Sequence, residues 1–252
     1  MRPGVHSAIV SDARSMRPFF CYYGGKYRSA PRYPKPDHGT IVEPFAGGAG
    51  YATRYHDRKV VLVEKDPLVA ALWRYLVAVP SSEIRAIGDV PMDGTVDDLG
   101  PVCQEARHLV GFWLNKGSAQ PKQSPSSFMR SGIRPNSFWG PVIRERIARQ
   151  VERIRHWQVI EGDYAQAPNI KATWFIDPPY SGSAGRYYKH NNVDYWWLGN
   201  WCRSRMGQVI VCENEGADWL PFEPFGVFKA GVNGKGSREA LWYRESVSSV
   251  AE

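Results

Sequence analysis

The chain reads as an α/β protein on one seven-stranded, mostly parallel sheet closed by an antiparallel hairpin, with a helical segment inserted between the second and third strands. Three observations predict this. Seven short apolar runs of strand length are spread along 252 residues, and helix-sized pieces separate the early ones, as parallel crossovers require. After the second strand and its helix the alternation stalls for about eighty residues before it resumes.

The expected strands run from Thr40 to Glu43, Val60 to Val63, Gln158 to Ile160, Thr173 to Ile176, Gln208 to Cys212, Gly226 to Phe228 and Ala240 to Tyr243. Gly48 to His56 is the helix-sized link between the first two. Pro67 to Val79 reads as a helix: Pro67 suits a first turn, Leu68, Leu72, Leu76 and Val79 share a face, and Pro80 ends it. From Ser81 to Trp157 there is no strand pattern. A Pro/Gly/Asp loop (89–101) leads to a helix from Val102 to Leu114, then a Ser/Pro/Lys/Arg loop from Lys116 to Asn136. Gly140-Pro141 opens the last inserted helix, with Ile143, Ile147, Val151 and Ile154 on one stripe and five arginines mostly elsewhere. Trp196, Trp197 and Trp201 read as core of a helix after the fourth strand rather than as a stacking surface. The glycine-rich stretch between Phe228 and Ala240 is too short for a crossover helix, so the last two strands should pair antiparallel.

A 43% apolar content indicates a globular core, and no apolar run reaches membrane-spanning length. The first seventeen residues lack a signal-peptide pattern, so a soluble, cytoplasmic protein is expected. Cys21, Cys103, Cys202 and Cys212 are widely spaced with no C-x-x-C, which argues against a metal site or a disulfide framework. The formal charge of +7 favours a polyanionic partner, and its basic residues crowd Arg14 to Arg32 and Lys116 to Arg155.

The chemistry centres on Asp177-Pro178-Pro179-Tyr180, directly behind the fourth strand. The prolines hold the backbone extended and leave the Pro178 carbonyl free. One Asp177 oxygen and that carbonyl could accept both hydrogens of an exocyclic amine on a planar ring, with Tyr180 stacked against it. A plain proline turn with a solvated Asp has the same sequence. Glu43-Pro44-Phe45-Ala46-Gly47-Gly48-Ala49-Gly50 follows the first strand, where glycines let a ligand approach the backbone or simply shape a tight turn. Glu64 ends the second strand, where an acid can take ribose hydroxyls. Gly162-Asp163-Tyr164 ends the third, as an ordinary turn or a further wall of the same site. Tyr22-Tyr23-Gly24-Gly25-Lys26 precedes the first strand, and Lys26 could bind an anion or be solvated.

In this order and spacing, from Tyr22 to about Tyr243, these segments resemble the Dam-like DNA adenine-N6 methyltransferases whose recognition region precedes D-P-P-Y. The resemblance implies a Rossmann-like class I methyltransferase fold and S-adenosyl-L-methionine as cofactor. It implies a catalytic domain over 17–80 and 158–247, an inserted DNA target-recognition lobe over 81–157, and tails at 1–16 and 248–252. Tyr22 and Lys26 would lie near the methionyl end, Phe45 with Glu43, Gly47 and Gly48 beneath the cofactor, Glu64 at the ribose, and Asp163 and Tyr164 near the adenine. Asp177, also counted with the cofactor set, would hold the target base with Pro178, Pro179 and Tyr180.

The implied reaction is direct in-line methylation of a flipped-out adenine in double-stranded DNA, with positioning as the main catalytic effect. Such a chain would be bacterial or phage-encoded, of restriction-modification type, and monomeric or weakly dimeric. Lys116, Lys122, Arg130, Arg134 and Asn136 are the expected DNA contacts from the insert, and Arg186, Tyr187 and Lys189 those from the segment 181–192, which would close over the base. Two departures stand out. Glu64 replaces the usual Asp, and residues 114–140 lack the Arg/Tyr/Asn-rich pattern of readers of GATC. Alternatives are a cytosine-N4 or RNA adenine-N6 methyltransferase, or a silent DNA-binding homologue. Asp177 leans away from cytosine N4, where Ser is more usual. No cysteine follows a proline, which disfavours cytosine C5 chemistry.

Overall fold

The computed structural model describes residues 16–229 and 236–246. Residues 1–15, 247–252 and the glycine-rich turn 230–235 lie outside them. Seven strands form one sheet: β1 (Thr40–Glu43), β2 (Lys59–Glu64), β3 (Gln158–Glu161), β4 (Ala172–Ile176), β5 (Gly207–Asn214), β6 (Glu223–Lys229) and β7 (Gly236–Arg244). Their order is β3-β2-β1-β4-β5-β7-β6. The first five are parallel, and β7 pairs antiparallel with both β5 and β6. The expected strands are therefore all present, each extended by one to several residues except β1. The fold is mixed α/β, compatible with a Rossmann-like sheet.

Alternation along the central strands divides the core into two layers. Ile41, Leu62, Phe175 and Ile210 point to one layer, while their neighbours Val42, Val61, Trp174 and Val209 point to the other. Both layers are buried, as parallel strands covered on both faces require.

The first layer is covered by the segment around Phe19 and Phe20, by α1 (Gly50–Arg54) and by α2 (Pro67–Ala78). Asp66 caps α2 through Leu68 N at 3.0 Å, with Pro67 in the first turn. Its buried face is Val69, Leu72, Trp73 and Leu76, turned slightly from the stripe expected from sequence, because the Trp73 indole fills the layer. The helices α3 (Ser81–Ala86), α4 (Gln104–Leu114), α5 (Ser127–Arg130) and α6 (Pro141–Val151) follow. Neither α3 nor α5 is visible in the sequence pattern, since each is too short to show a period. Ile143, Ile147, Val151 and Ile154 are buried as their stripe predicts. The inserted helices share the first layer: Trp157 lies 5.7 Å from Trp73, and Trp113 Nε1 donates to Phe19 O at 2.8 Å.

On the other layer, α7 (Tyr195–Arg203) packs Leu198, Trp201 and Cys202 against the sheet. The core assignment of the tryptophans holds for Trp201 alone. Trp196 and Trp197 are 73% and 57% exposed, because the buried stripe of α7 is Leu198, Trp201 and Cys202, while Trp197 lines the cavity described below. Among the described residues no helix is long and apolar enough to cross a membrane, and all four cysteines are free thiols, Cys202 and Cys212 buried.

Candidate active site

β1 is flanked by β2 on one side and β4 on the other, so successive crossovers leave it in opposite directions and open a crevice at the carboxyl ends of these strands. A cavity of about 300 Å³ occupies that crevice. It is lined by the Tyr22 to Lys26 segment, the stretch from Glu43 to Gly50, Glu64, Asp163 with Tyr164, and Asp177 with Pro179. Five motifs separated by up to 150 residues thus share one space.

Asp177 stands at the end of β4 beside the buried ammonium of Lys26. Lys26 Nζ lies 2.8 Å from Oδ1 and 2.9 Å from Oδ2, but only Oδ2 meets hydrogen-bond geometry. Asp177 Oδ1 is buried without a hydrogen-bond partner. Burial raises the Asp177 carboxyl above the ordinary range, and Lys26 opposes that rise. Lys26 is itself desolvated, yet attraction to Asp177 keeps it firmly protonated. The result is an ion pair in which both carboxylate oxygens touch the ammonium and one of them has no aligned hydrogen bond.

The two proline carbonyls differ. Tyr195 Oη donates to Pro179 O at 2.6 Å, whereas no donor among the described residues reaches the Pro178 carbonyl. Pro178 and Tyr180 are motif members that do not line the cavity. The Tyr180 ring turns toward Lys26, with Nζ 4.8 Å from its centroid, and its hydroxyl is buried and unpartnered. Tyr188 forms the nearby wall instead.

The glycine loop is pinned from several sides. Glu64 Oε2 accepts from Gly47 N at 2.8 Å and Oε1 from Asp66 N at 2.9 Å, so the longer arm of glutamate folds back on the loop. Burial raises the Glu64 carboxyl, against the lowering effect of those amides. Trp73 Nε1 donates to Gly47 O at 2.8 Å. Gly47 has φ +43°, and a Cβ there would stand 3.0 Å from the Tyr22 ring. Glu43, at the end of β1, accepts from Ala52 N and thereby holds the start of α1.

At the other end, Phe45 stacks on Tyr164 with centroids 5.1 Å apart. Asp163 caps the turn after β3 through Ala165 N and pairs with Lys65 at 3.0 Å. Val193, Asp194 and Trp197 complete this wall.

The segment after the D-P-P-Y motif folds across the cavity onto the Tyr22–Lys26 segment. Tyr188 Oη donates to Tyr23 O at 3.2 Å, and a Cβ on Gly24 would fall 2.1 Å from that hydroxyl. Arg186, Tyr187 and Lys189 are exposed, and Lys189 also lines the cavity. The insert reaches the rim through Tyr23 N to Ser118 O at 3.1 Å and Gln120 Nε2 to Asp66 Oδ2 at 3.0 Å. Lys116, Lys122, Arg130, Arg134 and Asn136 are exposed outside the cavity; Arg130 Nε donates to Met92 O at 2.8 Å, and Lys116 lies against Phe138.

Three side chains at the site were not among the expected site residues. Glu213, wholly buried at the end of β5, accepts from Ser181 N and Trp219 Nε1, each at 3.0 Å, and so anchors the segment behind the motif. An acid directly after an apolar strand was its signal. His190 lines the cavity with Nε2 buried and unpartnered, and Trp197 overhangs the Tyr164 end. Neither has a sequence signal beyond its distance from the motif. Compared with known proteins, the chain matches no family model and shows no significant similarity to any curated protein.

Proposed function

We propose that this protein is a DNA adenine-N6 methyltransferase that uses S-adenosyl-L-methionine. The observation that carries the reading is the cavity that joins Asp177 to the glycine loop and Glu64. Its volume suits a nucleoside-sized ligand. The donor set fits the cofactor: Glu64 retains lone pairs for ribose hydroxyls, and the stacked Phe45 and Tyr164 offer an aromatic wall for a purine. When bound, S-adenosyl-L-methionine would supply a sulfonium-activated methyl group.

The chain's own part is positioning. The Asp177 carboxylate accepts one hydrogen of an exocyclic amine and the Pro178 carbonyl, just outside the cavity lining, the other, which holds the nitrogen lone pair in a fixed direction. Lys26 keeps Asp177 ionised despite burial, so the carboxylate remains an acceptor until the amine gives up a proton. Tyr195 and Glu213 fix the motif from behind. Tyr188 closes the cavity against water at the side facing Tyr23.

Expression in a host lacking adenine methylation, followed by reading of modified bases, tests the activity, with N6-methyladenine in a fixed sequence context as the expected result. N4-methylcytosine, methylated RNA only, or no modified base would each refute it. For the role of Asp177, Asp177→Ala should reduce methyl transfer by at least about 100-fold. Calorimetry should still detect cofactor binding by that variant, which separates a catalytic loss from misfolding.

A further inference from the structure

The motif tyrosine is turned out of the cavity. Tyr180 packs against the first apolar layer, its hydroxyl is buried without a partner, and Lys26 Nζ stands 4.8 Å from its ring centroid. The ring is therefore held beside the Asp177–Lys26 pair and does not line the cavity. The chain supplies a second tyrosine shortly afterwards. Behind the motif it folds back in a 3₁₀ turn (Ser183–Tyr187), and Gly185 lies so close to the motif that a Cβ there would fall 2.2 Å from Tyr180 O. Tyr188 N donates to Gly185 O at 3.2 Å as the turn ends, and the Tyr188 side chain enters the cavity that Tyr180 leaves.

That ring is fixed in place. Its hydroxyl is held by Tyr23 O over Gly24, and its centroid stands 6.2 Å from that of Tyr22 and 5.4 Å from that of Tyr23. The same glycine leads to the acceptor, because Lys26 Nζ lies 3.2 Å from Gly24 O and 2.9 Å from Asp177 Oδ2. One residue and one ammonium thus separate the hydroxyl end of Tyr188 from the Asp177 carboxylate. His190, two residues beyond Tyr188, lines the cavity with a buried ring nitrogen that has no partner. This wall therefore offers a preset aromatic ring and an unmet polar atom, the complement of a flat heterocycle with a polar edge.

We infer that Tyr188, rather than the motif Tyr180, packs against the ring whose exocyclic amine Asp177 accepts, and that Tyr180 supports the Asp177–Lys26 pair. The inference rests on the proposed function for the identity of that ring, an adenine, and deepens it by moving the stacking contact to a residue outside the motif. A tyrosine already tied at its hydroxyl loses little freedom when a base arrives, so the contact is preorganised. The stacking resides in the ring, and the hydroxyl aims it.

The test measures binding of the full chain to two duplexes in the sequence context found by modified-base reading, one with the target adenine and one with an abasic site in its place. Tyr188→Ala should weaken binding to the first by about 5- to 150-fold, the loss that follows when an aromatic stacked on a base is cut to alanine, and leave the second unchanged. Tyr188→Phe, which keeps the ring, should recover most of that loss. Thermal melting and calorimetry with S-adenosyl-L-methionine verify folding, and Tyr188→Leu, with apolar bulk but no ring, replaces the alanine variant if that one does not fold. Equal losses on both duplexes, no loss on either, or a loss of cofactor affinity as large as that for the target duplex would each overturn the stacking role. The two readings separate. Adenine methylation by the parent with no selective loss in Tyr188→Ala removes the role of Tyr188 alone, whereas a parent that modifies no base removes the methyltransferase reading and the stacked adenine with it.

Discussion

Glu43 is an acid in a place where ionisation is unfavourable. It is buried at the end of β1, and burial raises its carboxyl from 4.5 to about 8, partly offset by the Ala52 amide. A carboxyl raised in the folded state contributes stability below its unfolded value, and that contribution is lost as pH rises from 4.5 through about 8. Glu43→Gln keeps an acceptor for Ala52 and removes the titration. Its melting temperature should therefore gain on the parent as pH rises across this interval, by about 2–4 °C for each kcal/mol involved. Parallel curves of melting temperature against pH would exclude a titrating Glu43. At this scale the sequence was legible where residues sit in short motifs: Asp177, Glu64 and Phe45 line one cavity. Their partners were not. The contact of Lys26 with Asp177 spans 151 positions, and that of Glu213 with Ser181 depends on which strands pair.

The glycine loop shows the same limit for elements. Strand, turn and helix were readable from Glu43 to Gly50, but the reason for Gly47 is tertiary, since the Tyr22 ring occupies the space of a side chain. Gly47→Ala should cost about 1–2 kcal/mol from its left-handed backbone alone. It should also weaken cofactor binding more than it slows turnover at saturation, a split that steady-state kinetics would reveal. Equal effects on both constants would argue against the loop as a binding element. The tryptophans of α7 differ from expectation for a related reason. Three of them in one short helix suggest a core, but whether a helical position has a sheet under it depends on where the helix begins relative to the strand ends. Trp201 lies over the sheet 5.6 Å from Trp174, whereas Trp197, one turn earlier, lies over the cavity.

For the molecule as a whole, strand number and direction were legible because each strand is a local pattern of apolar residues. The order of the sheet was not, as it records only which crossovers pass on which side. That order places the ends of β1, β2 and β4 around one crevice, so a ligand there should stabilise the entire sheet. S-adenosyl-L-methionine at 100 times its dissociation constant should add about 2.7 kcal/mol and raise the melting temperature by about 5–10 °C. A thermal shift with S-adenosyl-L-methionine but not with ATP is the expected result, and equal shifts would point to a site for nucleotides in general.

The inserted helices are not a detachable accessory. Trp157 lies against Trp73, Trp113 is bonded to Phe19, and the same apolar layer runs from α2 through α4 and α6. A segment grafted here from another protein would have to bring its own covering for one face of the sheet. On the proposed function, exchange of DNA specificity should therefore succeed through the surface loops between α4 and α6, with the helices left as they are, rather than through wholesale replacement of residues 81–157.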